Sequence, residues 1–149
     1  RNHVCAQNGI VTNMEELIKE FPGKYTLDTY LISKIFDKAL KEKKNIYDVI
    51  ILDPPAFAKS RSSKHNGAMA YKRLNALAIK NIKANGIIFT FSCSGVIDKF
   101  LFYNTVNAAA FEAGRNVRIL KYLNQPFDHL VTPFFPEGEY LKGLILFVE

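Results

Sequence analysis

The chain has 149 residues, 48% of them apolar and 23% charged, which supports one well-filled core and excludes both a two-domain protein and a mainly disordered one. Its longest apolar run near the end, Leu144 to Val148, is far too short to cross a bilayer, and Arg1-Asn2-His3-Val4-Cys5 opens no secretory pattern. The net charge of +6 is concentrated: residues 54–97 hold Lys59, Arg61, Lys64, Lys72, Arg73, Lys80 and Lys83 and no acid, while the flanking thirds are close to neutral.

The predicted elements follow in chain order. Asn2 to Asn8 reads as the end of a helix, stopped by Asn8-Gly9. Met14 to Phe21 reads as a short helix ended by Pro22-Gly23, Lys24 to Leu27 as a short strand, and Thr29 to Lys44 as an amphipathic helix. Tyr47 to Leu52 is a β-branched run of the kind that makes a parallel strand buried on both faces, and Asp53-Pro54-Pro55 stops it. Ala68 to Ala84 is predicted helical, with Ala70, Leu74, Leu77, Ala78 and Ile82 on one side, the four cations Lys72, Arg73, Lys80 and Lys83 on the other, and Gly86 as its stop. Gly86 to Ser92 is a second buried strand. Asp98 opens a helix that runs to Ala113 and ends at Gly114. Val117 to Leu123 is a third strand, Asn124 to Glu139 a long loop with three prolines, and Leu144 to Val148 the last strand. The alternation predicts an α/β fold, a Rossmann-like sheet with helices on both faces and the last two strands antiparallel at one edge.

In such a sheet, ligands bind beyond the carboxyl ends of the strands. Two of those ends carry reactive residues. After the first, Pro54 and Pro55 lack N–H groups and hold the chain extended, so Asp53 offers a carboxylate on a rigid arm suited to a planar base edge. A plain Asp-Pro turn is the alternative. After the second comes Ser92-Cys93-Ser94. A nearby helix N-terminus and the basic segment would favour the Cys93 thiolate; a small buried core cysteine is the alternative. A thiol and a carboxylate at one rim, beside a polycationic segment, form the combination that pyrimidine C5 chemistry needs. A thiolate adding to C6 makes C5 nucleophilic, a carboxylate beside N3 manages the proton, and the base must leave its stack. The one-signed middle segment reads either as a polyanion footprint or as a solvated basic face. Two distant cysteines and three scattered histidines give no disulfide framework and no metal spacing. A reducing, cytoplasmic setting without a metal is expected.

A set of motifs sharpens this. Asn8-Gly9-Ile10, the run from Tyr47 through Asp53-Pro54-Pro55-Ala56-Phe57-Ala58-Lys59-Ser60, Tyr71-Lys72-Arg73-Leu74-Asn75, Phe91-Ser92-Cys93-Ser94, Gln125, Asp128-His129 and Pro136 to Gly143 occur in that order. In these the chain resembles the class I S-adenosylmethionine-dependent methyltransferases that make 5-methylcytosine in large-subunit (23S) ribosomal RNA. The resemblance implies that Cys93 bonds to cytosine C6, with Asp53 as its catalytic partner. It implies that Asp53 and Pro54 face both the target base and the methyl donor, and that Asp28 matches the acid near the adenine ring. S-adenosylmethionine would be the cofactor and ribosomal RNA the partner; the basic segment itself, by its charge, puts forward Lys59, Arg61, Lys64, Lys72 and Arg73 as RNA contacts. Tyr71, Lys72 and Lys142 match family positions near the site without an individual role.

The departures are equally specific. The family's glycine-rich cofactor loop, its ribose-binding acid and its amino-terminal RNA-binding domains are absent from these 149 residues. Residues 11–23 look like an insertion, and Leu130 stands where the family favours proline. The expectation is one domain, residues 1–149, comprising the carboxyl-terminal part of a catalytic domain. Competing readings are a base-amine methyltransferase, in which an aromatic residue directly follows the second proline, a guanine methyltransferase, and an inactive RNA-binding module that keeps the fold.

Overall fold

The computed structural model describes the backbone of His3–Ala6 and all of residues 47–149. Five strands form one mixed sheet in the order β1 (His3–Ala6), β2 (Tyr47–Leu52), β3 (Ile82–Ser92), β5 (Lys142–Val148), β4 (Val117–Leu123). β1, β2 and β3 are parallel; β5 is antiparallel to both β3 and β4. The antiparallel ending predicted from the absence of a helix between the last two strands is present.

Two long helices connect these strands, α1 (Lys64–Asn81) and α2 (Lys99–Ala113). They pack against each other and cover one face of the sheet. Along β3 and β5 that face alternates as period two requires: Ile88, Leu144, Leu146 and Val148 are buried, while Ile87, Phe89, Ile145 and Phe147 on the other face are half-buried. Tyr71 of α1 meets Phe102 of α2 edge-on, with ring centroids 5.6 Å apart. These side chains, with Ile50, Leu52, Ile79 and Val106, form one continuous core.

Three sequence expectations are corrected here. His3–Ala6 is a strand rather than the end of a helix. Four residues carry too little periodicity to separate the two, and pairing with Val49–Leu52 satisfies the outer edge of β2. α1 starts at Lys64, ahead of the expected Ala68. The Ser63 side chain accepts from Ser60 N–H at 3.1 Å and donates to Ser60 O at 2.8 Å, nucleating a 3-10 turn that feeds the helix. α1 ends at Asn81, before Gly86, because Ile82 turns extended to pair with Tyr47. No glycine stops it. The Arg115 guanidinium donates to the carbonyls of Ile79 (2.9 Å), Ile82 (2.6 Å) and Lys83 (3.4 Å), satisfying the helix end from a distant part of the chain.

α2 behaves as the sequence indicates. Asp98 accepts from Leu101 N–H at 2.8 Å as N-cap, and Gly114 ends the helix in the left-handed region at φ 65. The expected elements over Asn8-Gly9, Met14–Phe21, Lys24–Leu27 and Thr29–Lys44 lie outside the described residues, as does Asp28.

Candidate active site

β2 and β3 are parallel neighbours, with Leu52 opposite Thr90, so both end at the same edge of the sheet. This brings Asp53 and Cys93 together. Both line a cavity of about 280 Å³ with Phe91, Pro126, His129, Tyr140 and Leu141. That volume lies just below the usual range of ligand pockets, roughly 300–1,000 Å³. The outer wall comes from the proline-containing loop after β4, where His129 N–H donates to Pro126 O at 3.0 Å. The Phe91 ring lies over Gly143 so closely that a Cβ there would stand 2.6 Å from it.

The arm from Asp53 to Ala58 is held at several points. Cys93 Sγ lies 3.9 Å from the Pro54 carbonyl, to which the thiol donates. Ser94, buried at 1% exposure, donates its hydroxyl to Ala58 O at 2.6 Å and accepts from Ile97 N–H at 3.4 Å. The Phe57 ring packs against Tyr71 at a tilt of 53°, with centroids 4.6 Å apart, and Phe57 N–H reaches the Tyr71 hydroxyl at 3.5 Å. Gly67 lets the first turn of α1 approach the arm: a Cβ there would sit 2.6 Å from the Ala58 Cβ. The strand-end rigidity that the prolines suggested is therefore built largely by tertiary clamps.

The electrostatics differ from the sequence expectation. Burial pushes the Cys93 thiol up from its ordinary range, and the Asp53 carboxylate adds to this. The backbone N–H groups of Cys93 and Ala56 and the Lys142 ammonium act the other way. The N-terminus of α2 gives the sulfur no direct help, because the helix starts at Lys99 and Asp98 already occupies its cap. Burial also raises Asp53 and, more deeply, Tyr71. The cation that serves Cys93 is Lys142, outside the basic segment. It is 3% exposed, and burial lowers its pKa to about 8. Its ammonium donates to Ser94 O at 2.5 Å and Tyr140 O at 2.8 Å. Sequence reading gave Lys142 no role. The available signal was a lysine heading an otherwise apolar strand, Gly143 to Val148.

The basic segment is not one patch. Lys83 lies in β3 rather than on the helix, and pairs with Asp48 at 3.0 Å. Lys72 turns toward Glu112 of α2 (2.7 Å), and Lys64 pairs with Asp98 (3.0 Å). Lys59, Arg61, Arg73 and Lys80 are exposed and enter no ion pair among the described residues. Lys59 and Arg61 lie between the Asp53 arm and the first turn of α1, and Lys64 opens that turn. Lys80 sits close to the far end of an 18-residue helix, which is about 27 Å long.

Among the described residues no three His, Cys, Asp or Glu side chains gather as a metal site, and no helix is long and apolar enough to cross a membrane. The described residues that could face a cofactor are Asp53 and Pro54. Asp53 enters no salt bridge among them, so its carboxylate suits a cationic group.

No family model matches the chain. It is 42% identical over 131 residues to a protein of Alteromonas mediterranea named ribosomal RNA large subunit methyltransferase I, covering 86% of this chain and 32% of that protein. It is 39% identical over 130 residues to the protein of the same name from Aeromonas hydrophila, covering 85% of this chain and 33% of that one. The chain thus spans about a third of the length of these curated relatives. Among solved structures it is similar to a proposed methyltransferase, SMU.776, complexed with SAH (TM-score 0.61, 21% identity, 81% of this chain and 30% of that one). A proposed SAM-dependent methyltransferase from Streptococcus mutans matches at TM-score 0.61 and 20% identity, over 78% of this chain and 29% of that one. These likenesses establish the α/β fold with a mixed sheet that such methyltransferases also adopt.

Proposed function

We propose that the chain belongs to the catalytic part of an S-adenosylmethionine-dependent methyltransferase that acts on large-subunit ribosomal RNA and forms 5-methylcytosine through Cys93. The relatives' names support the reaction class and the RNA. The cytosine assignment rests on one observation: Cys93 and Asp53 share the wall of a single cavity at the end of the sheet, with Cys93 Sγ 3.9 Å from the Pro54 carbonyl.

In this reading the cytosine leaves its stack and enters the cavity, where Asp53 meets its N3 and amine edge. The Cys93 thiol passes its proton to the Asp53 carboxylate, and the sulfur bonds to C6. The C5–C6 π electrons move toward C5 as N3 accepts a proton from the Asp53 carboxyl group. The burial that raises the Asp53 pKa helps it hold that proton. Asp53 and Pro54 would hold S-adenosylmethionine, which when bound would supply the electrophilic methyl group for C5. The C5 proton then passes to water, the N3 proton returns through Asp53 to the departing Cys93 sulfur, and the ring is restored.

The position of Phe57 favours this over base-amine methylation. An amine-directed site needs an aromatic platform right after the second proline. Here Ala56 intervenes, and Phe57 packs at a tilt against buried Tyr71. The test uses RNA with 5-fluorocytosine at the target position. Fluorine does not leave as a proton does, so the enzyme is expected to accumulate as a covalent complex through Cys93.

A further inference from the structure

The Cys93 site has an unresolved electrostatic problem. Its sulfur is half-buried and faces the Asp53 carboxylate, and both features oppose ionisation. The groups around it come from every neighbouring element: Asp53 after β2, Tyr71 from α1, His129 and Tyr140 from the long loop, and Lys142 at the start of β5. Asp98 and Lys99, at the start of α2, act on Lys142 in turn. Lys142 is the lysine among these that the fold buries.

Its placement follows from the register. Lys142 pairs with Ser92 across the antiparallel β3–β5 ladder, one residue before Cys93. From there its ammonium bridges two carbonyls. Ser94 O belongs to the turn that carries Cys93, and Tyr140 O belongs to the cavity wall. Burying a lysine is costly unless its charge is used. Two carbonyl bonds satisfy donors but do not require a full positive charge, since a neutral amide could make one of them.

We propose that Lys142 is a positioning residue for Cys93: its ammonium ties the Cys93–Ser94 turn to the Tyr140 wall and supplies the positive charge against which the sulfur ionises. This rests on Cys93 being the nucleophile. It adds that the thiolate is made available by Lys142 and not by the basic segment of residues 54–97. It also carries a pH consequence. The lowered pKa of Lys142 means that its charge fades as pH rises through about 8, so assistance to the thiolate is strongest below that value.

The test needs no RNA. Alkylation of Cys93 by iodoacetamide, read by peptide mass spectrometry to separate it from Cys5, is followed against pH. Alkylation forms an S–C bond and releases iodide, and its rate tracks the thiolate fraction. In Lys142→Gln, which keeps a donor but removes the charge, the alkylation rate at about pH 7, where Lys142 is charged, is expected to fall about tenfold. The two proteins should converge above about pH 9, where Lys142 has lost its charge. An unchanged rate at about pH 7 in folded Lys142→Gln overturns the proposal. The wild-type protein gives an independent check should that variant not fold. The labelling ratio of anionic iodoacetate to neutral iodoacetamide at Cys93 should fall between pH 7 and 9 as Lys142 loses its charge; a flat ratio overturns the proposal. Neither result depends on the 5-fluorocytosine trap, so failure of the nucleophile assignment and failure of the Lys142 role are told apart.

Discussion

Ser94→Ala tests whether the two strand ends are one mechanical unit. The Ser94 hydroxyl donates to Ala58 O at 2.6 Å and accepts from Ile97 N–H at 3.4 Å at a site with 1% exposure. Removing it leaves a carbonyl at buried Ala58 without that donor, and water is poorly placed to replace it. An unsatisfied buried group costs about 1–3 kcal/mol. At this chain length each kcal/mol shifts the midpoint by roughly 2–4 °C, so thermal unfolding followed by circular dichroism should drop by roughly 2–12 °C. Methyl transfer should fall further than stability does. The arm carrying Asp53 loses a tether to the turn carrying Cys93, and a displacement of about 1 Å between reacting groups can cost about a hundredfold in rate. A variant with an unchanged midpoint and full activity would refute the view that Ser94 holds the site together.

Three further outcomes follow from the geometry. Gly114→Ala forces a side chain into φ 65 at the end of α2 and should cost about 1–2 kcal/mol in a denaturant titration, although the space around it is open. Asp98→Ala removes the N-cap of α2 and should cost about 1 kcal/mol. The Leu101 N–H and then Lys64 lower the Asp98 pKa, so its contribution is present above the ordinary carboxylate value of 3.8 and is lost as pH falls through the lower folded value. The difference between wild type and variant should therefore shrink in acid. Lys59→Gln with Arg61→Gln, between the Asp53 arm and α1, should weaken RNA binding and flatten its salt dependence by about one to two units of slope. Lys80→Gln, at the far end of α1, should leave the slope unchanged, and a measured loss there would restore the single-patch reading.

The fold was legible where local signals and tertiary needs agree. Tyr47–Leu52 is β-branched enough to be a strand in any context, although Tyr47, Ile50 and Leu52 are buried while Val49 and Ile51 are half-buried, so burial on both faces is not complete. Asp98 and Gly114 mark α2 through cap chemistry that acts within one turn. Legibility failed where distant groups decide. The end of α1 is set by Arg115, and its start by a serine turn and by the arm pressing on Gly67; none of these leaves a periodic trace. The four cations expected on one helix face were separated by Glu112, by Asp48 and by the early end of the helix. At the site, Asp53 and Cys93 were readable because strand ends of a parallel sheet converge. The proton balance was not readable, because it depends on burial and on Lys142, which an antiparallel register brings in from the far end of the chain.

The central claim is that Cys93 forms the bond to the base. The direct measurement is mass spectrometry of the protein after incubation with S-adenosylmethionine and target RNA containing 5-fluorocytosine. The account predicts a covalent complex whose cross-linked peptide carries the nucleotide on Cys93, and none with Cys93→Ala. An adduct on any other residue, or 5-methylcytosine formed by Cys93→Ala on unmodified RNA, would contradict it.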